Sequence, residues 1–205
     1  MTGRKPAGAV SRWAVFDLNG TLLDSSALGE GALERTVLAA MTLNHVGEYR
    51  PFPEVLAHSG GTPGAPMPAY PEAAAALDLL AGAGVRLAVL TNSPTETAER
   101  GLRAAGLRER FEHVVGTDQV GVFKPDARVY RHGLEVIGAE PGDATMVAAH
   151  WWDLRGARAV GMRVGWVGRG EGVLSGLLPD PDASGGDLLA TAMMIASAER
   201  AEEPG

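Results

Sequence analysis

Residues 13–24 read WAVFDLNGTLLD, in which an apolar run is followed by the acid Asp17 and a Gly-Thr turn. The run has the apolar and aromatic content of a buried strand. A carboxylate at the end of such a strand is costly to desolvate unless hydrogen-bond or ion-pair partners compensate it or it has a functional role. Asp17 therefore predicts chemistry at this strand end. Asn19, an amide where a second acid could stand, restricts which chemistry that is.

Length and composition indicate one ordinary globular domain. The 205 residues carry 45% hydrophobic and 21% charged side chains, which is typical of a globular chain rather than a disordered or membrane-embedded one. The net charge of −7 argues against nucleic acid and anionic membranes as partners. The absence of cysteine excludes disulfides, thiol nucleophiles and thiolate metal sites. Because we find no signal peptide and no apolar run as long as a membrane span, we expect a cytoplasmic protein.

Strand and helix patterns alternate along most of the chain. After the first strand, apolar runs predict strands at residues 85–90, 111–115, 145–148 and 163–167, with helical patterns between them. Such an alternation is typical of a parallel sheet that helices cover on both faces.

Two stretches interrupt this alternation and suggest the domain organisation. Residues 25–69 are rich in proline and glycine after one helical pattern, so we predict an insertion of one or two helices plus a loop. Residues 12–24 and 70–169 then form the core domain. Residues 170–205 are predicted to be a C-terminal tail with a terminal helix.

Polar residues follow the predicted strands, and in doubly wound sheets the ligand lies outside these carboxyl ends. One rim of the sheet is therefore expected to gather an acid, a hydroxyl and amide pair, a lysine and a second acid. In chain order these are Asp17 and Thr21, Thr91-Asn92-Ser93, Lys124-Pro125, and His150-Trp151-Trp152-Asp153.

This ordered set resembles the four motifs of the haloacid dehalogenase (HAD) superfamily. The motifs read FDLNGT, LTNS, VFKPD and AHWWD, and they lie within residues 13–167 in the family's order. The resemblance implies an α/β fold, a Rossmann-like three-layer sandwich with a parallel sheet. It also implies a small helical cap inserted after the first strand, and Asp17 as the nucleophile.

Two branches of the superfamily differ at positions that this sequence makes visible. The phosphatases carry Asp-x-Asp in the first motif and Gly-Asp before the closing acid of the fourth, to supply an acid and to hold Mg²⁺. Here Asn19 and the pair Ala148-Ala149 stand at those positions. Mg²⁺ prefers carboxylate oxygens, and only Asp17 and Asp153 remain. We therefore expect no metal and no cofactor, with Mg²⁺ retained only under a phosphatase alternative.

The resemblance to the L-2-haloacid dehalogenase branch implies roles for ten residues. Asp17 matches the nucleophile that displaces halide from C2, after which water hydrolyses the aspartyl ester. Lys124 matches the lysine that the closing Asp153 holds against that nucleophile. The implied catalytic residues are Asp17, Thr21, Lys124 and Asp153, and the implied substrate-binding residues are Asn19, Arg35, Thr91, Asn92, Tyr130 and His150.

The chain departs from that branch in three respects. Its predicted cap is about half as long as the branch's cap, which makes the site more open. The cap arginine that binds halide and carboxylate has no clear counterpart, so Arg35 is taken as its nearest match and Arg50 as the second. His150 stands where the family often has asparagine. Beside it, one of Trp151 and Trp152 is expected in the core and the other at the pocket wall.

Three functions remain open at this stage. The first is a metal-independent (S)-2-haloacid dehalogenase that acts on a small molecule through an aspartyl ester. The second is a phosphatase for a small phosphomonoester with weak or altered Mg²⁺ use. The third is a non-catalytic or specialised HAD-fold protein that binds a small molecule or a protein at its open rim. A short cap leaves room for a partner subunit over the site, so a homodimer is an expected form.

Overall fold

The computed structural model describes residues 12–169, 176–177 and 180–202. Within them, one parallel sheet has the strand order β3-β2-β1-β4-β5-β6. The strands are β1 (Trp13–Phe16), β2 (Arg86–Thr91), β3 (His113–Gly116), β4 (Ala144–Ala148), β5 (Arg163–Val167) and β6 (Ala183–Gly185). The helices are α1 (Ala32–Val46), α2 (Phe52–His58), α3 (Ala73–Gly82), α4 (Thr95–Ala104), α5 (Ala127–Ile137), α6 (Trp151–Ala159) and α7 (Leu188–Glu202).

The strand order reverses between β1 and β4, which lie side by side at the centre of the sheet. Such a switch point is where doubly wound sheets bind ligands. The Asp17 N–H donates to the carbonyl of Val147 at 3.0 Å, so pairing between β1 and β4 continues up to Asp17. The topology therefore fixes the backbone of Asp17 at the switch point.

The period-2 alternation of the central strands separates the core into two layers. On one face, Phe16 and Val89 pack with α3, α4 and α7. On the other face, Val15, Leu90 and Met146 pack with α5 and α6. Both faces are buried, which is why the strands have near-continuous apolar runs. This arrangement confirms the predicted α/β fold class.

Helices α1 and α2 lie in the insertion between β1 and β2 and form a third apolar cluster with Phe123. The amide of Asn44 in α1 joins this cluster to the core domain. Its Nδ2 donates to the Phe123 carbonyl at 2.7 Å, and its Oδ1 accepts from the Phe123 N–H at 2.9 Å. The rings of Tyr49 and Phe52 pack on Phe123, at centroid distances of 4.9 and 6.1 Å. The two helices are thus fixed beside the carboxyl ends of the strands.

The C-terminal region differs from the predicted tail. Strand β6 pairs with β5 and extends the sheet, and Leu188, Ala192 and Ile195 of α7 are buried in the core. The predicted terminal helix corresponds to α7, which packs in the core, whereas strand β6 is an element that the sequence analysis does not predict. The stretch 170–175, which the prediction also included, lies outside the described residues. In the described part of the chain, no helix has the length and apolar character needed to cross a membrane.

Candidate active site

Asp17 lies at the carboxyl end of β1 and is 6% exposed. Its two carboxylate oxygens have different partners. Thr21 Oγ1 donates to Oδ2 at 3.0 Å, and Lys124 Nζ donates to Oδ1 at 3.2 Å. Thr21 is fixed in turn, because its hydroxyl accepts the Ala149 N–H at 3.0 Å. The turn after β1 and the loop after β4 therefore hold the carboxylate from two sides.

Lys124 lies between two carboxylates. Its ammonium is 3.2 Å from Asp17 Oδ1 and 2.8 Å from Asp153 Oδ2, and both Lys124 and Asp153 are fully buried. Burial favours the neutral amine, but the charges of Asp153 and Asp17 outweigh it and raise the pKa of Lys124 above its ordinary value. Lys124 is therefore an ammonium ion at neutral pH.

Asp153 is held on both of its oxygens. Oδ2 accepts from Lys124, and Oδ1 accepts from the Tyr130 hydroxyl at 2.7 Å. Burial raises the pKa of Asp153, while the charge of Lys124 acts in the opposite direction. Burial also raises the pKa of the Tyr130 hydroxyl well above its ordinary value. Tyr130 thus remains a neutral donor that helps to keep Asp153 oriented toward Lys124.

The motif Thr91-Asn92-Ser93 at the end of β2 contacts both Lys124 and Asn19. Asn92 Oδ1 accepts the Lys124 N–H at 2.8 Å, which fixes the backbone of the lysine. Asn19 Nδ2 donates to Ser93 Oγ at 3.3 Å, and its Oδ1 is buried without a hydrogen-bond partner. Thr91 is buried, and its hydroxyl accepts the Ser93 N–H at 3.2 Å, as in a tight turn. Ser93 is a member of this set to which the sequence analysis gives no separate role.

His150 faces Asp17 from the end of β4. Its Nε2 lies 4.0 Å from Asp17 Oδ2 and donates to the Asn19 carbonyl at 3.2 Å. The ring stacks on Trp152, with centroids 5.5 Å apart and planes inclined by 11°. Gly20, at φ +80°, leaves room for the imidazole, because a Cβ there would lie 2.9 Å from Nε2. A glycine is therefore required at position 20 for two independent reasons.

A cavity of about 910 Å³ opens beside this cluster, between α1 and α6. Gly20 and His150 line the end that adjoins Asp17. Trp151 and Trp152 both line it, and Trp152 also packs against the cap cluster. Both tryptophans are half-buried, so neither is the fully buried core residue that the sequence analysis expects.

The structure does not bring Arg35 to the site. Its side chain turns back within the cap, where Nε donates to the Ser59 carbonyl at 2.9 Å and a terminal nitrogen donates to the Glu30 carbonyl at 3.0 Å. Arg50 pairs with Glu54 at the surface, and both arginines line a separate cavity. The assignment of Arg35 to substrate binding is therefore not supported. A substrate contact by Tyr130 is also not supported, because its side chain is fully buried under Asp153.

Two arginines that the sequence analysis leaves without a role line the cavity instead. Arg169, two residues after β5, pairs with Glu72 and stacks on Tyr70, with its guanidinium carbon 3.5 Å from the ring centroid. Arg155 lies on the exposed part of α6. The position of Arg169 just beyond a strand end is the signal that could have identified it.

The donor set does not fit a magnesium site. Lys124 contacts both Asp17 and Asp153, so an ammonium ion lies between the two acids. Asn19 and Ala149 replace carboxylates at the phosphatase positions, and the Ala149 N–H is bound to Thr21 instead. Over residues 12–169, 176–177 and 180–202, no three His, Cys, Asp or Glu side chains are grouped to hold a metal.

Comparisons with known proteins point to the same family as the motifs. A model of the haloacid dehalogenase-like hydrolases matches residues 61–161. The chain is 35% identical over 100 residues to haloacetate dehalogenase H-2 of Moraxella sp. (strain B), covering 49% of this chain and 45% of that protein. It is 31% identical over 122 residues to the (S)-2-haloacid dehalogenase of Pseudomonas sp. (strain YL), covering 60% and 53%. Over residues 61–161 the chain is therefore similar to the haloacid dehalogenase-like hydrolases.

Two further matches bear on this similarity. The crystal structure of L-2-haloacid dehalogenase from Xanthobacter autotrophicus superposes with a TM-score of 0.77 at 22% identity, over 90% of this chain and 98% of that one. It shares the fold. The phosphoserine phosphatase of Thermus thermophilus is 41% identical over 119 residues, covering 57% of this chain and 45% of that protein. The matches span about half the length of these curated relatives, so the reaction has to be argued from the site.

Proposed function

We propose that the protein is a metal-independent (S)-2-haloacid dehalogenase that acts through an ester of Asp17. The observation that carries the proposal is the pairing of Asp17 with Lys124 and Thr21, with the amide of Asn19 in place of a second acid. A carboxylate fixed by an ammonium ion and a hydroxyl is a positioned nucleophile. The dehalogenases among the relatives of this chain support the same reaction.

In the first step, a carboxylate oxygen of Asp17 attacks C2 of the substrate from the side opposite the halogen. The C–O bond forms as the C–X bond breaks, the halide leaves with the bonding electron pair, and C2 is inverted. The step needs no proton transfer, which agrees with an amide rather than an acid at position 19. We assign the Nδ2 of Asn92 and the imidazole of His150 to the substrate carboxylate and the departing halide.

In the second step, water attacks the carbonyl carbon of the Asp17 ester. One proton of the water passes to the departing alkoxide and the other to solvent, so the 2-hydroxy acid leaves and the carboxylate returns to its place beside Lys124. The ammonium ion stabilises the oxyanion that develops on the ester. Asp153 acts through Lys124 rather than on the water, because both of its oxygens are already bonded and it is fully buried.

A phosphatase is the second candidate, and the phosphoserine phosphatase relative favours it. That reaction needs a proton donor for the leaving group and a cation for the phosphoryl oxygens. An amide at position 19 cannot act as the acid, and the ammonium ion of Lys124 lies between the two remaining carboxylates. The geometry therefore supports the dehalogenase better.

The test measures halide release from chloroacetate and (S)-2-chloropropionate, and phosphate release from p-nitrophenyl phosphate, each with Mg²⁺ and with EDTA. We expect halide release that EDTA does not change, and an inverted 2-hydroxy acid as product. A single turnover in water labelled with heavy oxygen should place the label in Asp17 and not in the product. Phosphate release that requires Mg²⁺, with no halide release, would overturn the proposal.

A further inference from the structure

The cavity beside Asp17 is far larger than a two- or three-carbon acid requires. Its volume is about 910 Å³, and cavities of roughly 300–1,000 Å³ are the ones that enclose drug-sized ligands. Chloroacetate and chloropropionate have only a few non-hydrogen atoms. The reaction centre would therefore use one end of this cavity and leave the rest unfilled.

The walls of the cavity are two facing surfaces that are mostly apolar, although the charged side chains of Glu34, Arg155 and Arg169 also line it. On α1, Leu33, Val37 and Met41 recur every four residues and so lie in one line along the helix. Eight residues of α-helix extend about 12 Å, which sets the length of this wall. On α6, the opposing wall is formed by the two tryptophans and Ala159. The exposed fraction of Leu38, also in this wall, is 67%, which is unusual for a leucine beside a reaction centre.

The cavity adjoins the site at His150. This residue lines the cavity, and its Nε2 is 4.0 Å from Asp17 Oδ2. Trp152 stacks on the other side of the imidazole and continues the wall along α6. A molecule with its reacting carbon at Asp17 would thus have its remaining atoms between the apolar surfaces of α1 and α6.

We propose that the substrates of this protein are 2-halocarboxylic acids that carry a long alkyl or arylalkyl substituent on C2. The substituent lies between α1 and α6, while the carboxylate and the halogen stay at the polar end beside Asp17. This inference rests on the proposed dehalogenase function and extends it to a substrate class. The position of His150 favours a substrate over a second copy of the chain as the occupant, because this residue lines the cavity and lies 4.0 Å from the nucleophile.

The first experiment compares (S)-2-chloro acids from propionate to decanoate at a fixed enzyme concentration. Burial of each methylene between the two helices should raise kcat/KM by about fourfold over the first several carbons. The rise should come from KM, with kcat nearly constant, because the substituent binds equally in the ground and transition states. A kcat/KM that is flat or falls with chain length overturns the substrate class and leaves the dehalogenase proposal intact.

A matched pair of variants on α1 tests where the substituent lies. Leu38 and Val46 are both exposed residues of α1, and Val46 does not line the cavity. Leu38→Gln should reduce the gain in kcat/KM for the decanoate while leaving chloropropionate unchanged, and Val46→Gln should change neither. Equal effects of both variants, or a dimer that Leu38→Gln dissociates with no change in chain-length dependence, would overturn the proposal in favour of a protein interface.

Binding separates failure of this inference from failure of the proposed reaction. Trp151 and Trp152 line the cavity, so 2-hydroxydecanoate should change the tryptophan fluorescence at a concentration at which lactate has no effect. The same titration of Trp152→Phe should lose most of that change. If no acid releases halide but 2-hydroxydecanoate still binds, the dehalogenase reaction is wrong and the apolar ligand class stands. If 2-hydroxydecanoate binds no better than lactate, the ligand class is overturned.

Discussion

At the scale of single residues, the site depends on one buried cation shared by two acids. Lys124 has no exposed surface, and each of its carboxylate partners is almost as deeply buried. A buried cluster of one ammonium ion and two carboxylates is stable only while all three groups are present, because removing one of them leaves an uncompensated charge away from water. Stability and activity at this site are therefore coupled.

We predict that Lys124→Met lowers halide release by at least a thousandfold and the free energy of unfolding by about 3–5 kcal/mol. The loss arises because Asp17 and Asp153 remain facing each other without a counter-ion. Urea denaturation followed by circular dichroism measures the stability. The control is Arg100→Met, which removes an exposed pair with Glu96 and should cost less than about 1 kcal/mol. A similar small loss for both variants would contradict a buried network.

The pH dependence follows from Asp153. Burial raises its pKa, and the charge of Lys124 only partly opposes this. Because the folded pKa is raised, this group favours folding below its unfolded pKa, and that contribution is lost as pH rises through the folded value. On acidification Asp153 is protonated at a higher pH than an ordinary aspartate, and its ion pair with Lys124 is then lost. The activity should therefore fall on the acid side at a pH above about 3.9, the ordinary aspartate value.

A pH–rate profile of halide release checks this expectation, with the stability of the protein followed in parallel. The raised pKa of Lys124 predicts no loss of the ammonium ion on the alkaline side below about pH 10.4, the ordinary lysine value. The Asp153→Asn variant should lose most of the activity at every pH. An acid limb at or below the ordinary aspartate value in the wild-type protein would contradict the prediction.

At the scale of elements, α5 and α6 approach each other closely enough to exclude a methyl group. A Cβ at Gly156 would lie 2.6 Å from the Tyr130 hydroxyl and 2.7 Å from Pro125 Cβ. Tyr130 cannot move freely, because its hydroxyl is bonded to Asp153. The glycine in α6 is thus needed for packing beneath the site, although glycine is a poor helix former.

We predict that Gly156→Ala destabilises the protein by about 1–3 kcal/mol and lowers halide release, because Tyr130 is displaced from Asp153. The control is Gly82→Ala at the end of α3, where a Cβ meets no atom within 4 Å. That change should be neutral or stabilise by up to about 1 kcal/mol. Thermal unfolding of both variants gives the comparison. A Gly156→Ala variant as stable as Gly82→Ala would show that α5 and α6 are not closely packed.

The sequence predicts well those elements whose own residues have a clear local pattern. Five strands are apolar runs, and Asp17, Lys124 and Asp153 come in the segments that follow three of them, so the sheet and these site residues can be located from local pattern. Strand β6 was not predicted because residues 183–185 are Ala-Ser-Gly, with no apolar run. The direction of Arg35 was not predictable either, because the carbonyls of Ser59 and Glu30 that hold it belong to the tertiary fold of the cap.

At the scale of the whole molecule, the last helix belongs to the core. Ile195 of α7 packs directly over Gly165 of β5, since a Cβ on this glycine would lie 3.3 Å from Ile195 Cδ1. Thr191 Oγ1, also in α7, donates to the Trp166 carbonyl of β5 at 3.0 Å. Helix α7 also packs along α3, which begins 115 residues earlier in the sequence. We therefore expect α7 to unfold together with β5 and α3.

We predict that Ile195→Ala lowers the free energy of unfolding by about 2–5 kcal/mol, as expected for truncation of a fully packed core side chain. Met194, on the same helix and 47% exposed, provides the control, and Met194→Ala should change stability by less than about 0.5 kcal/mol. Urea unfolding should remain a single transition with an unchanged m-value in both variants, because the core is one cooperative unit. A second transition in Ile195→Ala, with halide release retained, would mean that α7 and β6 unfold separately from the site. The expected result is that the Ile195→Ala protein loses α7 and catalysis at the same urea concentration, since β5 lies between β6 and β4, and β4 leads into His150 and into the helix that carries Asp153.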